Sequence, residues 1–168
     1  EGVPLSIIDK AAIDFGMPMG PVELADTVGL DICLHVAENL SKTMNIEVPE
    51  KLKTMVKTGK LGKKSGQGFY TFKKGKPVKA RPEKDYTPPV DVQDRLVLRF
   101  LNEATACLRD KVIETADQAD AGIIFGTGFA PFRGGPFNYI EHRGIAQLTK
   151  MLEHLQQRHG PRFIADKG

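Results

Sequence analysis

The sequence predicts an all-α protein made of two tandem helical repeats. Three observations carry this. Apolar residues recur at helical spacing through most of the 168 residues, bounded by proline starts and glycine stops. The one strand-like stretch, Phe69-Tyr70-Thr71-Phe72, is followed by a Lys74-Gly75 turn and allows at most a short hairpin near 69–79. A pattern near the N-terminus also returns, in order, near the C-terminus.

Leu5 opens the first short helix, with Ser6 and Asp9 at capping-box spacing, and Gly16 ends it. Pro21 suits a first helical position, and Val22, Leu24, Ala25 and Val28 form the apolar set before Gly29. From Asp31 to Met44, the residues Cys33, Val36, Ala37, Leu40 and Met44 fall on one face. Pro49 opens a helix carrying Leu52, Met55 and Val56, and Gly59–Gly68 is a glycine- and lysine-rich loop. Prolines 77, 82, 88 and 89 make 77–90 an extended linker. The longest helix, 91–112, has a wide apolar face of Val92, Leu96, Val97, Phe100, Leu101, Ala104, Cys107, Leu108 and Val112. Thr115 and Gln118 form a capping box for the next helix, and Phe125 to Gly135 reads as an irregular loop. Pro136 starts a helix ending at Gly144. Leu148, Met151, Leu152 and Leu155 define the last one, stopped by Gly160-Pro161.

The repeat rests on ordered matches. Gly20-Pro21 and its closing Gly29 match Gly135-Pro136 and Gly144, with an acid at the fifth residue after each proline, Asp26 and Glu141. Phe15-Gly16 pairs with Phe125-Gly126, and Ser6 with Thr115 as helix caps. The first repeat covers 1–76, 77–90 is a Pro/Lys-rich linker, and the second repeat covers 91–168. The second begins with the 91–112 helix, whose counterpart is missing from the first. The chain, starting at Glu1 rather than Met, is therefore expected to be the C-terminal part of a longer polypeptide.

Composition narrows the function classes. With 40% hydrophobic and 27% charged residues, the chain is neither a disordered tail nor a collagen-like chain. No apolar run approaches the ~18 residues of a membrane span. Cys33 and Cys107 read as buried free thiols, too few for a disulfide scaffold or a zinc site. Twelve Lys/Arg and one acid give residues 51–84 a charge of +11, leaving −8 on the rest. That block reads as a solvated face; nucleic-acid binding is disfavoured by the acidic remainder. Gly126-Thr127-Gly128 and Gly66-Gln67-Gly68 do not complete a dinucleotide fingerprint, and Lys64 interrupts the Gly-Lys-Ser order of a phosphate loop. His154 and His159 are five apart on a polar face, the wrong offset for a shared metal, and His35 pairs with Glu38 on a helix surface. No Ser-His-Asp arrangement is selected.

Two stretches carry a resemblance. Gly16-Met17-Pro18-Met19-Gly20-Pro21-Val22-Glu23-Leu24-Ala25-Asp26-Thr27-Val28-Gly29 and Gly62-Lys63-Lys64-Ser65-Gly66-Gln67-Gly68-Phe69-Tyr70 closely resemble the C-terminal domain of 3-hydroxyacyl-CoA dehydrogenases. Asn102-Glu103-Ala104 and Phe125 to Phe137 resemble the second C-terminal repeat in the α subunits of multifunctional fatty-acid oxidation complexes. The resemblance implies two all-helical repeats packed as a pseudo-dimer. It also implies a parent oxidoreductase of β-oxidation that converts L-3-hydroxyacyl-CoA to 3-ketoacyl-CoA with NAD. The dinucleotide site and catalytic residues would lie in an upstream Rossmann domain, behind a hydratase domain, so no catalytic, cofactor-binding or metal residue is assigned in this chain. It further implies that Met17, Pro18, Met19, Gly20 and Pro21 line the acyl-CoA cleft, and that a thiolase subunit is a partner. The location it implies is a bacterial cytoplasm rather than a mitochondrial matrix. The chain alone is expected to be inactive. The rival reading is a non-enzymatic binding or assembly module that reuses the fold.

Overall fold

The computed structural model describes residues 2–44 and 47–168, without the side chains of Thr43 and Met44. Glu1 and the Met44 side chain, both used above, lie outside the described residues. The chain divides into two compact units, 1–10 with 19–87 and 11–18 with 88–168. The architecture is helical, as expected, and the one sheet among the described residues is a two-stranded hairpin.

Helix α1 (Leu5–Phe15) opens the chain. The first unit continues with α2 (Pro21–Val28), α3 (Leu30–Met44), α4 (Glu50–Lys57), a 3-10 turn at Lys63–Ser65, and strands β1 (Thr71–Lys73) and β2 (Lys76–Val78). Ser6 is not the cap of α1. The Pro4 carbonyl accepts the N–H groups of Ile7 and Ile8, while Ser6 Oγ donates to the Ala80 carbonyl at 3.0 Å. The hairpin turns on Lys74 and Gly75 at φ 49° and 76°, the double positive-φ geometry that suits a two-residue hairpin. It starts two residues later than the sequence predicts, because the backbone N–H groups of Phe69 and Tyr70 are taken by a side chain, Asp26. The segment expected as a linker begins inside this hairpin, since Pro77 and Val78 belong to β2. The helical faces read from periodicity are only partly covered: Met55 is buried, whereas Leu24, Val28, Val36 and Leu40 are about half exposed.

The second unit contains α5 (Val92–Arg109), α6 (Ala116–Thr127), α7 (Pro136–Arg143) and α8 (Ile145–His159), with 3-10 turns at Pro131–Arg133 and Pro161–Phe163. Its core joins Val97, Leu98 and Leu101 of α5 to Leu148, Leu152 and Leu155 of α8, closed by Phe15, Phe129 and Phe163. Phe15 meets Phe129 edge to face at 5.4 Å, a favoured aromatic geometry. The Arg133 guanidinium lies 4.1 Å over the Phe15 ring, and its Nε donates to the Phe15 carbonyl. Leu98, absent from the expected face, is among the most buried residues. Helix α5 ends before Val112, which is 72% exposed. Lys111 takes φ 57°, with the N–H of Val112 bonded to the Cys107 carbonyl and that of Lys111 to Leu108. This is the Schellman pattern, and it removes Val112 from the helical period. Thr115 caps α6 as expected, its Oγ1 accepting the Gln118 N–H at 3.2 Å. Residues 125–127, expected in a loop, are helical, because α6 runs on until Gly128 takes a left-handed φ of 71°.

The two Gly-Pro corners recur in structure. Helices α2 and α7 are both 8 residues long, begin on the proline and end at a positive-φ glycine, and α3 and α8 are both 15. A shared device was not foreseen. Asp9 Oδ1 accepts the Val22 N–H at 2.8 Å, and Asp120 Oδ1 accepts the Phe137 N–H at 2.7 Å. A Cβ on Gly20 would stand 2.2 Å from Asp9, and one on Gly135 2.4 Å from Asp120, so each carboxylate requires the glycine before the proline. Other matches fail. Phe15 is buried at a helix end while Phe125 is 90% exposed within α6, and Asp26 is buried while Glu141 is exposed.

Candidate functional site

The segment expected to face substrate begins where α1 stops. Gly16 has φ 116°, and a Cβ there would stand 2.6 Å from the Phe132 ring. Met17 donates its N–H to the Ala12 carbonyl and packs half-buried against the core of the second unit, while Pro18 is exposed. In the first unit Met19 is half-buried, Gly20 is buried against Asp9, and Pro21 is exposed at the first position of α2.

Two buried carboxylates organise the first unit. Asp26, 0% exposed, accepts the N–H groups of Phe69 and Tyr70, both at 2.8 Å. A Cβ on Gly68 would lie 2.0 Å from its Oδ1, and one on Gly62 2.2 Å from its carbonyl oxygen. Ser65 Oγ accepts the Leu61 N–H at 2.8 Å and lies 2.8 Å from the Gln67 carbonyl, to which it donates. The Gly62–Tyr70 motif is therefore a clasp around Asp26 of the other motif, rather than a phosphate cradle. Asp9, 1% exposed, accepts the Tyr70 hydroxyl at 2.8 Å and lies 3.4 Å from Lys79 Nζ, which also pairs with Glu23 at 2.6 Å. Burial, then the hydrogen bond to Asp9, pushes the Tyr70 phenol well above its ordinary range, so it stays protonated and donates. Burial opposes the Lys79 ammonium, but the hydrogen bond to Glu23 and the charge of Asp9 outweigh it and raise its pKa. Such a set of groups holds α1, α2 and the hairpin together; it presents no activated nucleophile.

Part of the basic block is paired with acids, Lys79 as above and Lys64 by Asp31 at 2.6 Å, while Lys51 keeps its charge over the Phe69 ring. In the second unit, buried Asp91 accepts from Arg158 at 3.1 Å and His159 at 3.2 Å, and from Arg95. His159 is thus engaged with Asp91 rather than lying on a polar face. His35 meets Asn39 at 3.2 Å rather than Glu38. Both cysteines are half-buried, and burial pushes the Cys33 thiol up. Gly126-Thr127-Gly128 sits at the C-terminal end of α6, and Gly66-Gln67-Gly68 precedes the hairpin. Neither turn leads from a strand into a helix, so these residues do not fit a dinucleotide cradle. Among the described residues no helix is long and apolar enough to cross a membrane.

The comparisons agree with this architecture. Residues 1–72 match the family described as "3-hydroxyacyl-CoA dehydrogenase, C-terminal domain". The fatty acid oxidation complex subunit alpha of Shewanella halifaxensis is 38% identical over 97% of this chain, and that of Vibrio cholerae 36% over 99%; in each case the chain spans 25% of the relative. A crystal structure of 3-hydroxybutyryl-CoA dehydrogenase from Escherichia coli superposes with TM-score 0.77 at 19% identity, over 98% of this chain and 53% of that one. The dehydrogenase part of multifunctional enzyme 1 from C. elegans gives 0.64 at 23%, over 99% and 41%. These two establish the fold. Residues 1–72 thus match the C-terminal domain of the 3-hydroxyacyl-CoA dehydrogenase family, and the chain as a whole is similar to fatty acid oxidation complex α subunits over a quarter of their length.

Proposed function

We propose that this chain serves as the C-terminal part of an NAD-dependent 3-hydroxyacyl-CoA dehydrogenase of β-oxidation. It would complete the substrate cleft of a parent protein that also carries a dinucleotide-binding domain and a hydratase domain. The observation that carries this is the 38% identity to a fatty acid oxidation complex α subunit across 97% of the chain. In this reading NAD and the hydride transfer belong to the upstream domain, a thiolase subunit is the assembly partner, and the bacterial cytoplasm is the location. Met17 and Met19 are half-buried and polarisable, and the exposed Pro18 and Pro21 hold a fixed backbone. These residues would form an adaptable wall for acyl chains of different length.

The test replaces the C-terminal quarter of the Shewanella halifaxensis α subunit with this chain. The chimera is expected to reduce acetoacetyl-CoA with NADH, and the isolated chain to do nothing. A folded chimera without turnover overturns the proposal, as does turnover by the isolated chain. Met17→Ala with Met19→Ala in the chimera is expected to raise KM for long-chain more than for short-chain substrates; an equal effect on both removes the wall from the reading.

A further inference from the structure

Helices α5, α7 and α8 enclose a half-open cleft of about 310 Å³. Its walls are Leu98, Leu101, Phe137, Ile140, Leu148 and Leu152, and polar groups gather along one side: Asn102, Arg109 and Asp166. The polypeptide itself covers that side. Asn102 Nδ2 donates to the Ile164 carbonyl at 3.0 Å, and its Oδ1 accepts the Asp166 N–H at 2.7 Å. Arg109 pairs with Asp166, and with Asp110 at 2.9 Å. Between the two Asn102 bonds, Ala165 lines the cleft with a single methyl. The tail thus offers a short apolar group, a polar backbone held by an amide, and a carboxylate on a guanidinium. That is the layout of an amphiphile's chain and head, with the chain cut short.

We propose that this cleft is a binding site for a linear, single-chain amphiphile with a carboxylate head, which displaces Asp166 from Arg109 and fills the space Ala165 leaves. The volume is at the lower end for small-molecule sites. At roughly 30 Å³ per water-sized group, 310 Å³ accommodates about ten heavy-atom groups, the size of a medium-length chain. Asp110 takes the Nε and Nη2 of Arg109 at 2.9 and 3.0 Å, so the head takes the charge-assisted contact to Nη1 that Asp166 makes now. The site involves none of the residues assigned to the acyl-CoA wall and does not depend on that reading.

The test is calorimetric titration of the 168-residue chain with hexanoate, octanoate, decanoate, tetradecanoate and decanol, below their micellar concentrations. Affinity is expected to rise by up to ~4-fold per added methylene and to level off near decanoate. Decanol is expected to bind about tenfold more weakly, the loss of one charge-assisted contact. Ala165→Leu fills the cleft from the tail and is expected to abolish binding while circular dichroism stays unchanged; Asp166→Asn removes the competing carboxylate from the Arg109 Nη1, with Asp110 still on the other edge, and is expected to tighten it. Absence of saturable decanoate binding overturns the proposal, as does equal affinity for decanol. Affinity that keeps rising beyond decanoate also overturns it, since a surface without a bounded cleft would behave that way. The chain-length series uses the unaltered protein, so it decides the matter even if a variant fails to fold.

Discussion

Asp26 illustrates how a single carboxylate sets a local structure. Its oxygens take two backbone N–H groups 43 and 44 residues away, and nothing larger than hydrogen fits at Gly68 beside it. Asp26→Asn points an amide donor at one of those donors and is expected to cost about 2–4 kcal/mol, measurable by urea unfolding. The acid and the two glycines were visible in the sequence, but their mutual contact was not, because periodicity carries no information across forty residues. Asp91 and Asp94 make a second case, with opposite signs. Burial disfavours the Asp91 charge, but hydrogen bonds from Arg95 and His159 and the charges of Arg95 and Arg158 hold its pKa below the usual range. Its contribution is thus present above the unfolded pKa of ~3.9 and is lost as pH falls through the lower folded value. Burial raises the pKa of Asp94, with Arg143 only partly opposing it, so the Asp94 charge costs stability at neutral pH and its protonation favours the fold. Asp91→Asn is expected to flatten the acid limb of a stability-versus-pH curve, and Asp94→Asn to raise stability at pH 7. The reverse ranking in thermal melts at pH 7 and in acid would contradict both assignments.

At the level of the elements, starts were easier to read than ends. Pro21 and Pro136 mark helix beginnings because their missing N–H and fixed φ suit a first turn. Ends at Gly29, Gly144 and Gly160 were equally plain. The end of α5 was not, because Lys111 occupies the left-handed position where glycine is usual. A lysine there carries strain from its Cβ. Lys111→Gly is therefore expected to stabilise the chain by about 0.5–1 kcal/mol, seen as a higher urea midpoint with unchanged slope. The hairpin shows the complementary limit. Its turn was legible from Lys74-Gly75, but its first residue was not, since Asp26 had claimed the two N–H groups that a longer strand would have used.

For the whole molecule, the all-helical class, the two Gly-Pro corners and the likeness of residues 1–72 to the dehydrogenase C-terminal domain were legible, because each rests on local residue order. What covers a helix is not a local property. Leu24, Val28, Val36 and Leu40 share the spacing of core residues, yet each remains about half exposed. The cleft beneath residues 164–168 was equally invisible, being made by three helices and a tail far apart in sequence. The chain spans a quarter of the relatives it matches, so the proposed supporting role is tested inside a chimera. The twin corners offer something more. Val22 at the first is held by Asp9, which also receives the Tyr70 hydroxyl and the Lys79 charge, whereas Asp120 at the second accepts the N–H groups of both Phe137 and Asn138. Placed in heavy water, the two amides will trade hydrogen for deuterium at different rates. The ratio records within one polypeptide what a phenol and an ammonium add to an otherwise repeated joint.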